Sequence, residues 1–107
     1  MNIMVPFYCF IANCRFTSTR ILTTLAYNKD SEVRWAVAGN KSTPVAILVR
    51  LAEDEEWTVR RAIASNVNTP VEVLAKLSKD DNFEVRWGVA DNPNASSEVL
   101  THPIGGR

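Results

Sequence analysis

The chain has 107 residues, which corresponds to a single domain, and 46% of them are hydrophobic, as in ordinary globular proteins. The chain has twelve basic and twelve acidic side chains, so its net charge is zero. Because no net positive charge attracts phosphate, we do not expect nucleic acid to be the partner. The two cysteines, Cys9 and Cys14, are too few for a disulfide-stabilised secreted scaffold, and we predict reduced thiols in a cytoplasmic protein.

The first part of the chain, residues 4–14, is apolar but too short to span a bilayer. It lacks the basic start of a secretory signal, and Pro6 interrupts it early. We therefore predict no membrane association. Residues 5–17 are interpreted instead as a degenerate half of a repeat unit, because residues 7–14 match the repeated pattern described next.

Three eight-residue segments at a constant spacing are nearly identical: VRWAVAGN at 33–40, VRRAIASN at 59–66 and VRWGVADN at 85–92. A shift of 26 makes five positions identical in three copies. These positions are Val33, Val59 and Val85; Arg34, Arg60 and Arg86; Ala38, Ala64 and Ala90; Asn40, Asn66 and Asn92; and Leu48, Leu74 and Leu100. A fixed period of this kind predicts a stack of equivalent units.

Each unit is predicted to begin with a short helix that opens at a Thr-Pro pair. The hydroxyls of Thr43 and Thr69 suit the N-cap, and Pro44 and Pro70 suit the first helical position, where no N–H is needed. Apolar residues at helical spacing follow within 47–52 and in the next unit, which indicates one buried stripe on each helix.

The repeated eight-residue segment is predicted to form the second helix of each unit. Its buried stripe contains Val33 and Val37, and small residues such as Gly88 allow a neighbouring helix to approach closely. Asn40 and its equivalents are expected to end these helices, because Asn tolerates the left-handed conformation. Their amides are also expected to cap helix ends and to bridge adjacent turns.

These patterns predict an all-α protein, a short α-solenoid of about three two-helix units of 26 residues with partial repeats at both ends. We expect residues 1–107 to form a single repeat domain. It is divided into a half-repeat at 5–17, complete repeats at 18–43, 44–69 and 70–95, and a partial repeat at 96–107. Neither end resembles a polar cap, so self-association through the ends is a further expectation.

The segment at 66–77, NVNTPVEVLAKL, followed by Val85 and Arg86, resembles the pattern NxxTPxEVLxxL…D…VRxAVAxN of the leucine-rich repeat variant family, which is similar to HEAT repeats. The resemblance covers about residues 18–102. It implies a right-handed superhelix of paired helices, with one helix of each pair in 3₁₀ form in some members. The period in this chain is longer than in that family and favours HEAT-like geometry.

The same resemblance raises the question of an iron–sulfur cluster, which some members bind ahead of the repeats. Such clusters usually need four thiolates, and this sequence supplies two. We therefore predict no cofactor. The acidic residues at 53–56 and 79–82 lie between predicted helices, where solvated side chains are more common than metal ligands, so we predict no metal site either.

The arginine column, Arg34, Arg60 and Arg86, follows the buried valine of each second helix. One interpretation is that each arginine pairs with an acidic side chain that recurs at the same period. The other is an anion-binding ridge for phosphate or for an acidic partner. The candidate acidic partners are Asp30, Asp54 and Asp80.

The next column contains Trp35, Arg61 and Trp87, about 160° from the buried stripe on a helical wheel. These side chains are predicted to point away from the layer interface, where they would contact a partner, stack on one another through cation–π contacts, or lie under a tail of the chain. Trp57 and Phe83, just before the second helices, are predicted to close the core as wedges.

No pattern in the sequence points to catalysis. The single histidine, His102, lies near the C-terminus, and the glycines form no phosphate-binding loop. The main hypothesis is a non-catalytic protein–protein interaction module that binds a partner on the exposed face of its second helices. The alternative is a nucleic-acid- or anion-binding HEAT-like solenoid that uses the arginine columns. The candidate site residues are Trp35, Arg61 and Trp87, with Arg34, Arg60 and Arg86 at the periphery.

Overall fold

The computed structural model describes residues 5–14 and 16–95, and within these ranges every regular element is an α-helix. The prediction of an all-α protein is confirmed for this part of the chain. The helices are α1 (Val5–Asn13), α2 (Thr19–Leu25), α3 (Ser31–Gly39), α4 (Val45–Leu51), α5 (Trp57–Ser65), α6 (Val71–Leu77) and α7 (Phe83–Asp91). None of them combines the length and apolar character needed to cross a lipid bilayer. The partial repeat predicted at 96–107 lies outside the described residues.

Long and short helices alternate along the chain. The nine-residue helices α1, α3, α5 and α7 pack against one another in chain order, α1 on α3, α3 on α5 and α5 on α7. The seven-residue helices α2, α4 and α6 each contact the long helices before and after them in the chain. The result is an elongated molecule of 44 × 27 × 18 Å.

One continuous aliphatic core holds the long and short helices together. Its members recur once in every unit, because each unit contributes the same stripe of side chains. Burial of each such Leu or Val contributes roughly 1.5–3 kcal/mol. The fully buried recurring members include Leu22, Leu48 and Leu74 on the short helices, and Val33, Val59 and Val85 on the long ones.

The short helices begin one residue later than the Thr-Pro pattern predicts. Pro44 is itself the N-cap of α4, with φ −61° and ψ 148°, and the helix begins at Val45. The hydroxyl of Thr43 does not cap α4; it donates to the Val37 carbonyl of α3 at 2.6 Å. The predicted capping role is therefore wrong: the buried hydroxyl adds a second hydrogen bond to a carbonyl near the end of the preceding helix, which also accepts from the Asn40 backbone N–H. The same arrangement recurs one unit later, at Thr69.

The long helices end at asparagines in an extended conformation. Asn40, Asn66 and Asn92 have φ of −79°, −78° and −77° with ψ of 127°, 125° and 125°. The predicted left-handed conformation is therefore wrong. The extended backbone directs each amide towards the preceding unit, where it finds two carbonyl acceptors.

The side chain of Asn66 shows how the asparagines bridge adjacent units. Its Nδ2 donates to the carbonyls of Ala38 at 2.8 Å and of Asn40 at 3.1 Å, and its Oδ1 accepts from the Asn68 backbone N–H at 2.9 Å. Asn40 and Asn92 make the equivalent three bonds. The bridging role predicted for these amides is confirmed.

Gly88 brings α7 close to α5. A Cβ atom added to Gly88 would lie 3.0 Å from the Ala64 Cβ and 3.3 Å from the Arg61 carbonyl oxygen. The second contact is with backbone, which cannot rotate away as a side chain can. The close helix approach predicted from the small residue at position 88 is therefore present between α5 and α7.

We expect Gly88→Leu to lower the free energy of unfolding by about 1–3 kcal/mol, because the added side chain must push α5 away from α7. Urea denaturation followed by circular dichroism measures this loss. Gly39→Leu is the matched control, since a Cβ atom at Gly39 meets nothing within 4 Å. The control should change stability by no more than about 0.5 kcal/mol. Equal losses in the two variants would contradict a specific close contact at Gly88.

Candidate partner-binding surface

The fifth residues of α3, α5 and α7 form an exposed line across three packed helices. These residues are Trp35, Arg61 and Trp87. Trp35 is 49% exposed and Trp87 is 54% exposed. The predicted exposure of both tryptophans is confirmed, whereas their contact with a partner stays a prediction.

Two more aromatic residues extend this line towards the starts of the helices. Trp57 and Phe83 are the first residues of α5 and α7, 38% and 59% exposed, one helical turn before Arg61 and Trp87. Their predicted role as wedges is wrong, because the valine two residues later takes the inward position in each helix. The Phe83 and Trp87 rings meet edge to face, with centroids 5.7 Å apart. We call Trp35, Trp57, Arg61, Phe83 and Trp87 the aromatic surface.

A groove of about 230 Å³ lies between Trp35 and Arg61, where α1, α3 and α5 come together. Gly39 leaves space in the groove, since a Cβ atom added there would meet no atom within 4 Å beyond its chain neighbours and its own helix backbone. Ser65 and Asn13 add polar side chains to the wall. The complete lining is Asn13, Trp35, Gly39, Arg61, Ala62, Ser65 and Asn66.

Arg61 is the only charged member of the aromatic surface, and its Nε is buried without a hydrogen-bond partner in the described part of the chain. The carboxylate that it faces, Glu84 Oε1 on α7, is 3.8 Å from this nitrogen, beyond hydrogen-bonding distance. The stacking predicted between Arg61 and the two tryptophans is not found. Within the described residues, cation–π contacts join Arg50 to Tyr27 and Arg86 to Phe83.

Arg34 is held in a bidentate ion pair with the unit that follows it. Its Nε and Nη2 donate to the Asp54 carboxylate at 2.8 and 3.2 Å, and its Nη1 donates to the Asn28 and Lys29 carbonyls. Both ionic side chains are largely buried. Hydrogen bonding to Asp54 raises the pKa of Arg34 further above its ordinary value, against the opposing effect of burial.

Arg60 repeats this arrangement with Asp80, at the same two distances of 2.8 and 3.2 Å. The ion-pair interpretation of the arginine column is therefore confirmed for Arg34 and Arg60, whose donors are already used within the fold. Asp30, the third acidic candidate, caps α3 by accepting from the Glu32 backbone N–H at 2.9 Å.

Arg86 is the member of the column without a carboxylate among the described residues. Its Nη1 donates to the Asp80 carbonyl at 2.6 Å, and its guanidinium lies 5.9 Å from the Phe83 ring centroid. In the sequence, the position that corresponds to Asp54 and Asp80 in the next unit is a glycine, Gly106. Arg86 is thus the one arginine of the column that retains unused donors within the region that the structure describes.

Neither cysteine is joined in a disulfide: Cys9 and Cys14 are both free and partly buried. Burial raises the pKa of the Cys9 thiol, and the negative charges of Glu32 and Asp30 add to this effect, so the neutral thiol is favoured. Among residues 5–14 and 16–95, no three His, Cys, Asp or Glu side chains are grouped to hold a metal ion. His102 lies outside this part of the chain.

The groove and the outward direction of Trp57 and Phe83 were not predicted from the sequence. Both follow from combining the helical wheel with the 26-residue period, because Gly39 and Ser65 come one turn after Trp35 and Arg61. The unpaired Nε of Arg61 had no signal in the sequence. Its environment depends on the distance between α5 and α7.

Comparisons of the chain with models of protein families, with curated proteins and with solved structures find no match. The likeness to leucine-rich repeat variant and HEAT-like proteins therefore depends on the repeated motif alone.

Proposed function

We propose that this chain is a non-catalytic protein-binding module and that the aromatic surface is its contact site. The observation that carries the proposal is the placement of four exposed aromatic side chains around one guanidinium on three consecutive long helices. Trp, Tyr and Arg dominate the binding energy of protein interfaces, whereas large exposed apolar patches are uncommon on proteins that bind nothing.

The aromatic surface can provide binding energy because its rings are only partly buried in the free chain. Complete burial of a large apolar side chain is worth roughly 1.5–3 kcal/mol, and part of that remains available at each aromatic residue. Two tryptophans covered together can therefore change affinity by about a hundredfold. Since neighbouring helices lie about 8–10 Å apart, a partner that covers α3, α5 and α7 spans about 20 Å.

We further propose that the helices form a short, right-handed α-solenoid of three 26-residue units, as the HEAT-like resemblance implies. Two recurring contacts support this proposal. The Asn66 amide binds the unit before it, and the Arg60 guanidinium binds the unit after it. Stacking of this kind places residues one period apart side by side, and so explains why a single helical position can build a continuous surface.

We prefer protein binding to the nucleic-acid or anion-binding alternative. Arg34 and Arg60 already donate to aspartates, so they retain little capacity for phosphate. Arg61 stands beside Glu84, which opposes an approaching polyanion. The alternative predicts binding that weakens steeply with salt, and a titration with duplex DNA and single-stranded RNA at low salt tests it directly.

We expect Trp87→Ala to weaken partner binding at least about tenfold while it changes the melting temperature by no more than about 3 °C, because the ring is exposed. The test is affinity capture from cell extract with the wild-type chain, followed by quantification of the captured protein with each variant.

Tyr27→Ala is the matched control, since Tyr27 is another exposed ring and lies outside the aromatic surface against Arg50. A partner captured equally well by Trp87→Ala and the wild type contradicts the proposal. So does a loss of stability large enough to explain the lost binding.

A further inference from the structure

We propose that the partner segment on the aromatic surface is basic and places one lysine or arginine side chain on the Trp35 ring and another on the Trp87 ring. This inference rests on the proposed function, because it assigns a chemistry to the segment that covers the surface. Every charged residue one helical turn from either tryptophan on its own helix is acidic. These residues are Glu32 beside Trp35, and Glu84 and Asp91 beside Trp87.

The carboxylates next to the two tryptophans retain capacity for a cation. Glu32 and Asp91 are exposed, and neither forms an ion pair within the described residues. The Glu84 side chain is 54% exposed and lies 3.8 Å from the Arg61 Nε, beyond hydrogen-bonding distance, so solvent screens this attraction. An incoming cation therefore gains charge attraction at both tryptophans without breaking a hydrogen-bonded ion pair.

The two indole rings are also accessible to a cation. Trp35 is 49% exposed and Trp87 is 54% exposed, and tryptophan is the aromatic side chain that attracts cations most strongly. Arg50 shows how this chain covers an exposed ring, because its guanidinium lies 4.1 Å from the Tyr27 ring centroid. Within the described residues, neither tryptophan is covered by a cation in this way. A basic side chain of the partner can therefore contact an indole face and a carboxylate at the same time.

The chain's own arginines restrict where the partner can carry its charges. Among the described residues, Arg61 is the cation that lies between the two tryptophans, at the same position of α5. Arg34 and Arg86 precede the tryptophans in the sequence but donate elsewhere, to the Asp54 carboxylate and to the Asp80 carbonyl. The two basic side chains of the partner must therefore be separated by residues that carry no positive charge.

The packing of the long helices sets the distance between these two basic side chains. Since α5 lies between α3 and α7, Trp35 and Trp87 are two helix separations apart, about 16–20 Å. An extended chain advances about 3.3 Å per residue, so basic side chains about six residues apart reach both rings. An even separation also places the two side chains on the same face of an extended segment.

The test is an NMR titration of the full chain that follows the indole Nε1–H resonances of Trp35 and Trp87. The probe is a peptide with an arginine at each end and five serines between them. The comparison peptide contains citrulline, which keeps the shape of arginine without its charge. We expect the arginine peptide to shift both resonances saturably in the millimolar range, and the citrulline peptide to bind at least about tenfold more weakly. Binding of the arginine peptide should also weaken as salt is raised to about 1 M.

Single substitutions identify the carboxylates that contribute. Glu32→Gln should weaken binding of the arginine peptide about threefold, and Asp91→Asn should do the same, because each removes an exposed charge beside one tryptophan. Glu72→Gln is the matched control, since Glu72 is an exposed acidic residue in the first turn of α6, outside the aromatic surface. The inference is overturned if the arginine peptide produces no shift, if the citrulline peptide binds equally well, or if Glu32→Gln and Asp91→Asn bind as tightly as Glu72→Gln.

These outcomes are separate from the test of the proposed function. If Trp87→Ala abolishes partner capture while the arginine peptide shifts neither resonance, the basic partner is wrong and the protein-binding surface stands. If the arginine peptide shifts both resonances but Trp87→Ala captures the partner as well as the wild type, the two cation contacts stand and the aromatic surface is wrong as the site of capture.

Discussion

Asn66→Ala should lower the free energy of unfolding by about 4 kcal/mol, a large part of the total for a domain of this size. The substitution removes three hydrogen bonds of a buried amide, two of which join separate units. The Ala38 carbonyl then loses its donor in a buried setting, which costs about 1–3 kcal/mol. The Asn40 carbonyl keeps the Thr43 backbone N–H, so the loss of each of the other two bonds costs about 0.5–1.5 kcal/mol. Urea denaturation with linear extrapolation measures the loss.

Asn68→Ala is the matched control, because Asn68 is an exposed asparagine two residues away. Its side chain makes one bond between units, from Nδ2 to the Lys41 carbonyl at 2.6 Å. Since both groups can bind water when this bond is lost, we expect a loss below about 1 kcal/mol. Similar losses of unfolding free energy in the two variants would contradict a special contribution of the Asn66 amide to the contact between units.

Asp80→Asn should cost about 3 kcal/mol at neutral pH, because it leaves the Arg60 guanidinium largely buried without its counter-charge. The asparagine keeps an oxygen that can accept from the Asn82 backbone N–H, so the local turn is preserved and the ion pair is isolated. Glu55→Gln is the control variant. Glu55 is an exposed acidic residue that lies 26 residues before Asp81, at the same position of the preceding unit. This control should change stability by no more than about 0.5 kcal/mol.

The difference in unfolding free energy between the wild type and Asp80→Asn should depend on pH, because of the environment of the Asp80 carboxylate. Burial alone would raise its pKa, but hydrogen bonds from Arg60 and from the Asn82 backbone N–H outweigh burial and lower the pKa below the ordinary value. A lowered carboxyl pKa contributes stability above the unfolded value of about 3.9, and that contribution is lost as the pH falls through the folded value. The difference between wild type and Asp80→Asn should therefore be constant from about pH 5 to 8 and shrink below about pH 4. A constant difference down to pH 2 would contradict the ion pair.

The helical content and the recurring core could be predicted because both follow from local spacing. Val33 and Leu48 repeat at fixed intervals, and each is buried because the apolar stripe of its helix faces the adjacent helices. The asparagine bridges were also predictable, since a polar residue repeated at a helix end needs partners.

The errors in prediction concern residues at helix boundaries, where one position changes the role of a side chain. Thr43 suits an N-cap by composition, yet α4 begins two residues later, and the hydroxyl instead binds the end of α3. Trp57 has the apolar character of a core residue, but the first position of α5 points outwards. The surroundings of Arg61 depend on how near α7 lies, which the spacing of residues does not determine.

The polar contacts between units also determine which segments of the chain stabilise one another. The unit at 44–69 is joined to the unit before it through Asn66 and to the one after it through Arg60, whereas Arg86 on α7 has no carboxylate among the described residues. Ala90 is correspondingly exposed, although Ala38 and Ala64 at the same place in earlier units are fully buried. Opening of the middle segment must break the contacts on both of its sides, so we expect these segments to unfold together rather than one by one.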